Sequence, residues 1–217
     1  MSGRRYFNVL VGPMSSGKTT FARRFWPAAR VRHHVMDESP PASLPGASPA
    51  EALRRRAAES WRGLESAVAD WLDAGAAECF VADGLFMSRQ SREAILGLVP
   101  RGAVSARVGW FLDTPPQALI GRFRRRVDAG EFPFVPREVL LKQLLCFEMP
   151  SPEEPFDMWI RVPVPDQEGH LPDGADALSV MAHRAMFLGG DPVPRCDFLD
   201  EAARVGRYVF RDMGVRP

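Results

Sequence analysis

The segment Gly12-Pro-Met-Ser-Ser-Gly17-Lys18-Thr19 brings two glycines, a lysine and a hydroxyl together at the spacing G-x-x-x-x-G-K-[ST]. Each part suits the wrapping of a triphosphate. The glycines let the backbone curl so that its N–H groups approach phosphate oxygens. A helix starting there points its N-terminus, worth about half a positive charge, at the same anions. Lys18 can reach the β- and γ-phosphates, and the Thr19 hydroxyl can bind Mg²⁺. Gly12, Ser15, Ser16, Gly17, Lys18, Thr19 and Thr20 are therefore the candidate contacts to ATP. All but two of the 28 basic residues are arginine, the exceptions being Lys18 and Lys142, so lysine at this position is informative.

Two carboxylates could complete the chemistry. Asp83 ends the apolar run Phe80-Val-Ala-Asp83, and at the carboxyl end of a strand beside the loop it could hold Mg²⁺, directly or through water. Its other reading is a turn aspartate before Gly84. Asp37 ends a second candidate strand about 20 residues after the loop, on the ligand side of a parallel sheet, where it could take the proton of an attacking hydroxyl. A loop-capping role before Ser39-Pro40 is the alternative, and Glu38 is the neighbouring substitute for the base. Arg122, Arg124, Arg125 and Arg126 crowd one helix end; Arg122 and Arg126 share a face and could neutralise a transferring phosphoryl group. Arg124 and Arg125 read better as a solvated face.

These residues need a sheet to position them. Tyr6–Val11, Val31–Met36, Cys79–Ala82, Val104–Leu112 and Met158–Val162 read as strands. Helices are expected from Gly17 to about Phe25, from Pro49 behind a Ser48 cap to Gly75, from Ser88 to about Val99, from Thr114-Pro115 through the arginines, and over Pro136–Phe147. Leu53, Ala57, Trp61, Leu64, Val68 and Trp71 form one apolar stripe on the long helix, read as core. Two modest helices are expected near Ala175–Phe187 and Phe198–Asp212. The alternation predicts an α/β three-layer sandwich around a mostly parallel five-stranded sheet. Residues 1–165 would form the catalytic domain, with a lid near 121–135, and 166–217 a helical extension packed on it.

Composition narrows the classes. The 217 residues, 46% hydrophobic, suffice for one α/β domain. A net charge of +1 neither advertises nor excludes a nucleic-acid partner. No apolar run approaches the roughly 20 residues of a membrane span, and the N-terminal apolar run feeds the glycine loop rather than a leader, so a cytoplasmic protein is expected. Cys79, Cys146 and Cys196 read as buried small hydrophobes. His33, His34, His170 and His183 match no metal spacing and receive no role.

GPMSSGKTTFARRF, Asp37, VADGLFMSRQSREAIL, FLDTPPQALIGRFRRR and FEMPSPEEPFD, in that order, resemble the polynucleotide-kinase-like P-loop kinases over about residues 6–165. The resemblance implies a kinase in which Lys18 and Thr19 grip the phosphates and Mg²⁺, Asp37 is the general base, Asp83 the Walker B-type carboxylate, and Arg122 and Arg126 the lid arginines. Three positions depart from the family's habit: Gly84 follows the aspartate where Asn or Thr is common, no arginine follows Asp37 closely, and Phe123 replaces an asparagine. The implied acceptor is a hydroxyl, either a nucleic-acid 5′-OH or a small molecule. Arg54, Arg55, Arg56 and Trp61 could begin a nucleic-acid groove or be a solvated helix face. A non-catalytic ATP-binding switch or adaptor is the competing class.

Overall fold

The apolar run Tyr6–Val11 forms strand β1, buried along its whole length, and the chain leaves it at Gly12. Continuous burial is what a central parallel strand requires, because both of its faces are covered. A computed structural model describes residues 5–26, 31–36, 49–75, 78–130, 145–151 and 153–163. After β1 come helix α1 (Lys18–Phe25), β2 (Val31–Val35), α2 (Pro49–Ala74), β3 (Cys79–Asp83), α3 (Arg89–Gly97), β4 (Ala106–Asp113), α4 (Pro116–Asp128) and β5 (Met158–Pro163).

The five strands form one sheet in the order β2-β3-β1-β4-β5, and every neighbouring pair is parallel. From β1 the chain crosses to the edge strand β2, returns inward to β3 beside β1, and then passes to β4 and β5 on the other side. The carboxyl end of β1 is therefore the topological switch point, where open parallel sheets bind ligands. The glycine loop sits at that end.

Each face carries its own aromatic cluster. On one, Trp110 of β4 contacts Phe21, Phe25 and Trp26 of the α1 region, with ring centroids 5.0–5.5 Å away. Its indole Nε1 donates to Asn8 Oδ1 at 2.9 Å, so a polar residue in the middle of β1 is satisfied rather than orphaned. On the other face Phe7 and Phe80 stack at 5.6 Å, against Trp71 of α2. The Arg5 guanidinium lies 4.2 Å from the Trp71 ring centroid.

Three sequence expectations need correction. The apolar stripe of α2 is core only in its second half: Leu64, Val68 and Trp71 are buried, Trp61 is half-buried and Ala57 is exposed. A 26-residue helix is about 39 Å long, whereas strands of five or six residues span about 17–20 Å, so the helix outruns the sheet it covers. The fourth strand begins at Ala106 instead of Val104: its ladder with β1 starts at the pair Tyr6 and Ala106, and Ser105 adds only a single backbone bond, donated to Arg5 O at 2.7 Å. Cys79 is buried, but Cys146 is exposed in the short helical turn at 145–146. Leu53's side chain, Ser48, Lys142, Cys196, the lid beyond 130, most of the expected helix over Pro136–Phe147 and the whole extension from 166 lie outside the described residues.

A buried strut ties the segment before β5 to α3. Arg92, in the middle of α3, places Nε 2.6 Å and Nη2 2.7 Å from the two carboxylate oxygens of Glu154. Its Nη1 donates to Phe86 O at 3.3 Å, and Ser151 N donates to Glu154 Oε1 at 2.9 Å. Both side chains are fully buried. On either side of this pair, Glu148 accepts from Arg89 N at the start of α3 (2.6 Å) and Asp157 accepts from Arg107 N on β4 (2.7 Å). Ser88 caps α3, as expected, in a reciprocal box with Ser91.

Candidate active site

Gly12 to Thr19 join β1 to α1, and their conformation is one that few residues could adopt. Gly12 has φ +154°, Ser15 +64° and Gly17 +97°. A Cβ on Gly12 would lie 2.8 Å from Ser16 Oγ and 3.3 Å from Leu112 O. Gly12→Ala is expected to destabilise the fold by about 1–3 kcal/mol, read as a lower melting temperature, and to weaken nucleotide binding.

The loop has the attributes of an anion cradle. Gly17, the N-cap of α1, provides no side-chain bond to the first-turn N–H groups, and that turn holds no acidic residue. It carries Lys18 instead, which opposes the helix dipole by about 0.3–1 kcal/mol and is thus the wrong residue for stability alone. Lys18 is only 8% exposed; its Nζ donates to Gly12 O at 2.8 Å and Pro13 O at 3.0 Å, so loop carbonyls offset the buried ammonium. Ser15 Oγ and Ser16 Oγ are buried with no hydrogen-bond partner among the described residues. Buried hydroxyls of that kind are costly unless something polar uses them, and phosphate oxygens would.

The carboxylate of Asp83 closes the cradle on the β3 side. Thr19 Oγ1 donates to Asp83 Oδ2 at 2.6 Å. A hydroxyl whose proton is taken in this way keeps its lone pairs for a cation, which is the arrangement a divalent metal beside a triphosphate needs. Residues and ligand chemistry therefore fit magnesium. His33 Nε2 reaches the same Oδ2 at 3.3 Å.

On the opposite side, Ser16 O accepts from Thr114 Oγ1 at 3.1 Å and from Arg122 Nη1 at 3.3 Å. Thr114 thus braces the loop, while Pro115 is the N-cap residue of α4. Burial, and then the charge of Arg125, hold the Arg122 guanidinium below its ordinary pKa. A phosphate oxygen beside it would relieve both penalties. Arg126 is half-buried one turn further on, whereas Arg124 and Arg125 are exposed. Thr20 is exposed on α1, with no bond to the loop among the described residues. Asp37 and Glu38 lie outside the described residues.

Gly84 also has a local reason. Its Cβ would fall 2.5 Å from Met36 Sδ and 3.2 Å from Phe86 Cζ, so Met36 fills the space a side chain there would take. Met36 is itself held by Ser60 Oγ of α2, which donates to its carbonyl at 2.9 Å. Away from the site, Arg55 pairs with Glu59 at 3.0 Å and Trp61 Nε1 donates to Glu65 at 2.8 Å, the bonds of a solvated helix face.

The sequence did not single out His33 or Thr114. Each meets the site through a partner far along the chain, 50 residues away for His33 and 98 for Thr114. Strand periodicity alone could have put His33 on the same face as Asp83 once the β2–β3 register was known.

A comparison with curated proteins returns no match. Among solved structures, the chain resembles a sugar kinase from Janibacter sp. HTCC2649 at 19% identity and TM-score 0.52, over 94% of this chain and 99% of that one. A protein from Chloroflexus aurantiacus described as a candidate kinase aligns at 14% identity and TM-score 0.59, over 95% and 100%. A fungal RNA kinase aligns at 12% identity and TM-score 0.54, over the full length of both chains. At these identities the likeness establishes the fold. Residues 8–150, well over half of the chain, match the family model described as an AAA domain. The chain therefore belongs to the AAA domain family of P-loop proteins and is built on the fold of the P-loop kinases.

Proposed function

We propose that the protein is an ATP-dependent kinase that transfers the γ-phosphate to a hydroxyl acceptor, a nucleic-acid 5′-OH or a small molecule. The observation that carries this reading is the Thr19–Asp83 bond of 2.6 Å at the mouth of a loop that already buries Lys18. A simple anion site needs the loop; it has no use for a carboxylate poised behind a hydroxyl. Magnesium, when bound, would neutralise charge on the β- and γ-phosphates.

In this reading the loop N–H groups, Ser15, Ser16 and Lys18 hold the triphosphate. Thr19 and Asp83 provide the magnesium corner. Asp37 accepts the acceptor's proton as its oxygen attacks phosphorus, the bond from phosphorus to the β-phosphate oxygen breaks, and ADP leaves with that electron pair. Arg122 and Arg126 stabilise the charge that spreads over the moving phosphoryl group.

Purified protein with ATP, Mg²⁺ and a panel of RNA, DNA and metabolite hydroxyls should release ADP in proportion to phosphorylated product. Retention of ATP without product from any acceptor would assign the chain to the nucleotide switches instead. Turnover that falls steeply with salt would favour a nucleic-acid acceptor. Asp37→Asn is expected to keep ATP binding and to lower kcat by about two orders of magnitude or more. Full activity in that variant would remove Asp37 from the base role.

A further inference from the structure

His33 touches the magnesium corner without a task in phosphoryl transfer. The parallel register sets it beside Val81, and Asp83 lies two residues further along β3, on the same face of the sheet. His34 turns to the other face, where its Cε1 lies 3.8 Å from the position of a Cβ on Gly63 of α2. The two histidines therefore serve different layers, and only His33 meets the site.

Two donors converge on one carboxylate oxygen. Thr19 Oγ1 approaches Asp83 Oδ2 at 2.6 Å and His33 Nε2 at 3.3 Å. A carboxylate only accepts, so Nε2 carries the hydrogen in this contact. The Asp83 side chain is 4% exposed and that of His33 21%, so the contact is largely shielded from competing water. At 3.3 Å the bond is longer than the usual 2.9–3.0 Å for N–H···O, and its worth is directional. It approaches Oδ2 from β2 while Thr19 approaches from α1, which fixes the rotation of the carboxylate between two elements.

Resting on the Mg²⁺–ATP reading, we infer that His33 is a positioning residue: it holds Asp83 turned toward Thr19 and thereby sets how strongly the site takes magnesium together with nucleotide. Partners that orient the groups around a metal typically change its affinity by about 10–100-fold when removed. The long bond puts His33 at the lower end.

The test is calorimetric binding of a non-hydrolysable imido analogue of ATP, once with magnesium and once with EDTA. The ratio of the two dissociation constants is the magnesium gain. His33→Phe, which keeps a ring without the donor, and His33→Ala are expected to lower that gain by about tenfold and leave the EDTA constant unchanged. His33→Gln offers an N–H and should recover the gain to within about threefold of the native protein. A role in packing alone would lower the melting temperature of the variants without separating the magnesium constant from the EDTA constant.

The native gain persisting in a folded Phe or Ala variant overturns the inference. So does a Gln variant as weak as Phe, or a collapse of both donor-less variants while Gln folds, which would make His33 a residue of the fold. A native protein that binds the analogue equally well with and without magnesium removes the kinase reading, and this inference with it. A native gain that the variants share removes only the inference.

Discussion

Lys18→Ala is expected to lower ATP turnover by at least about a hundredfold and to weaken ATP binding, while leaving the melting temperature almost unchanged. Removing a single donor from a site that stabilises transferring charge costs about 10²–10³ in rate. The stability side follows from where Lys18 sits. It occupies the first turn of α1, where a cation opposes the helix dipole. Its bonds to Gly12 O and Pro13 O compensate its own burial, and alanine would remove the charge together with the need for them. A residue that costs stability and is nevertheless present is there for another reason. An ADP-release assay, calorimetry and a thermal scan on the same preparation test both halves. Unaltered turnover would sink the catalytic assignment of the loop, and a large loss of stability would show that Lys18 serves the fold.

Glu154→Ala should produce the largest loss of stability of any substitution considered. It leaves the Arg92 guanidinium fully buried without its carboxylate. Breaking a buried ion pair from one side costs about 3–5 kcal/mol, which for a domain of this size lowers the melting temperature by about 6–20 °C. The double substitution Arg92→Met with Glu154→Leu removes both charges and should recover most of that loss, since buried pairs are often no better than well-packed apolar residues. Urea unfolding of the two variants beside the native protein provides the measurement. If Glu154→Ala melts within a degree or two of the native protein, the pair is not the tie that holds the segment before β5. Ser151, which donates to Glu154, and Phe86, whose carbonyl accepts from Arg92, extend the loss to the loop after β3.

What was legible in the sequence was local. The phosphate loop is eight residues whose pattern is complete in itself, and β1 and β3 are apolar runs that end at Gly12 and at Asp83. Asp83 was legible because strand ends on one side of a parallel sheet converge. The arginines of α4 sorted by helical period: Arg122 and Arg126 turn inward, Arg124 and Arg125 outward. Legibility failed where a partner is remote. Arg92 and Glu154 are 62 residues apart, and nothing in SREAIL or PSPEE announces that one arginine and one glutamate among several would be buried together. Thr114 looked like a residue that opens a helix; only the packing of β4 beside β1 puts its hydroxyl on Ser16. The stripe on α2 was read correctly as a period and wrongly as a length, because periodicity does not say how wide a sheet lies beneath it.

The tryptophans provide a last consequence. Four of the five are buried: Trp26 and Trp110 on one face of the sheet, Trp71 on the other, and Trp159 on the outer strand β5. Their intrinsic emission should shift to longer wavelength when water reaches them. Each layer thus carries its own optical reporter, and substituting them one at a time would reveal whether the layers come apart together or in sequence, with no label attached.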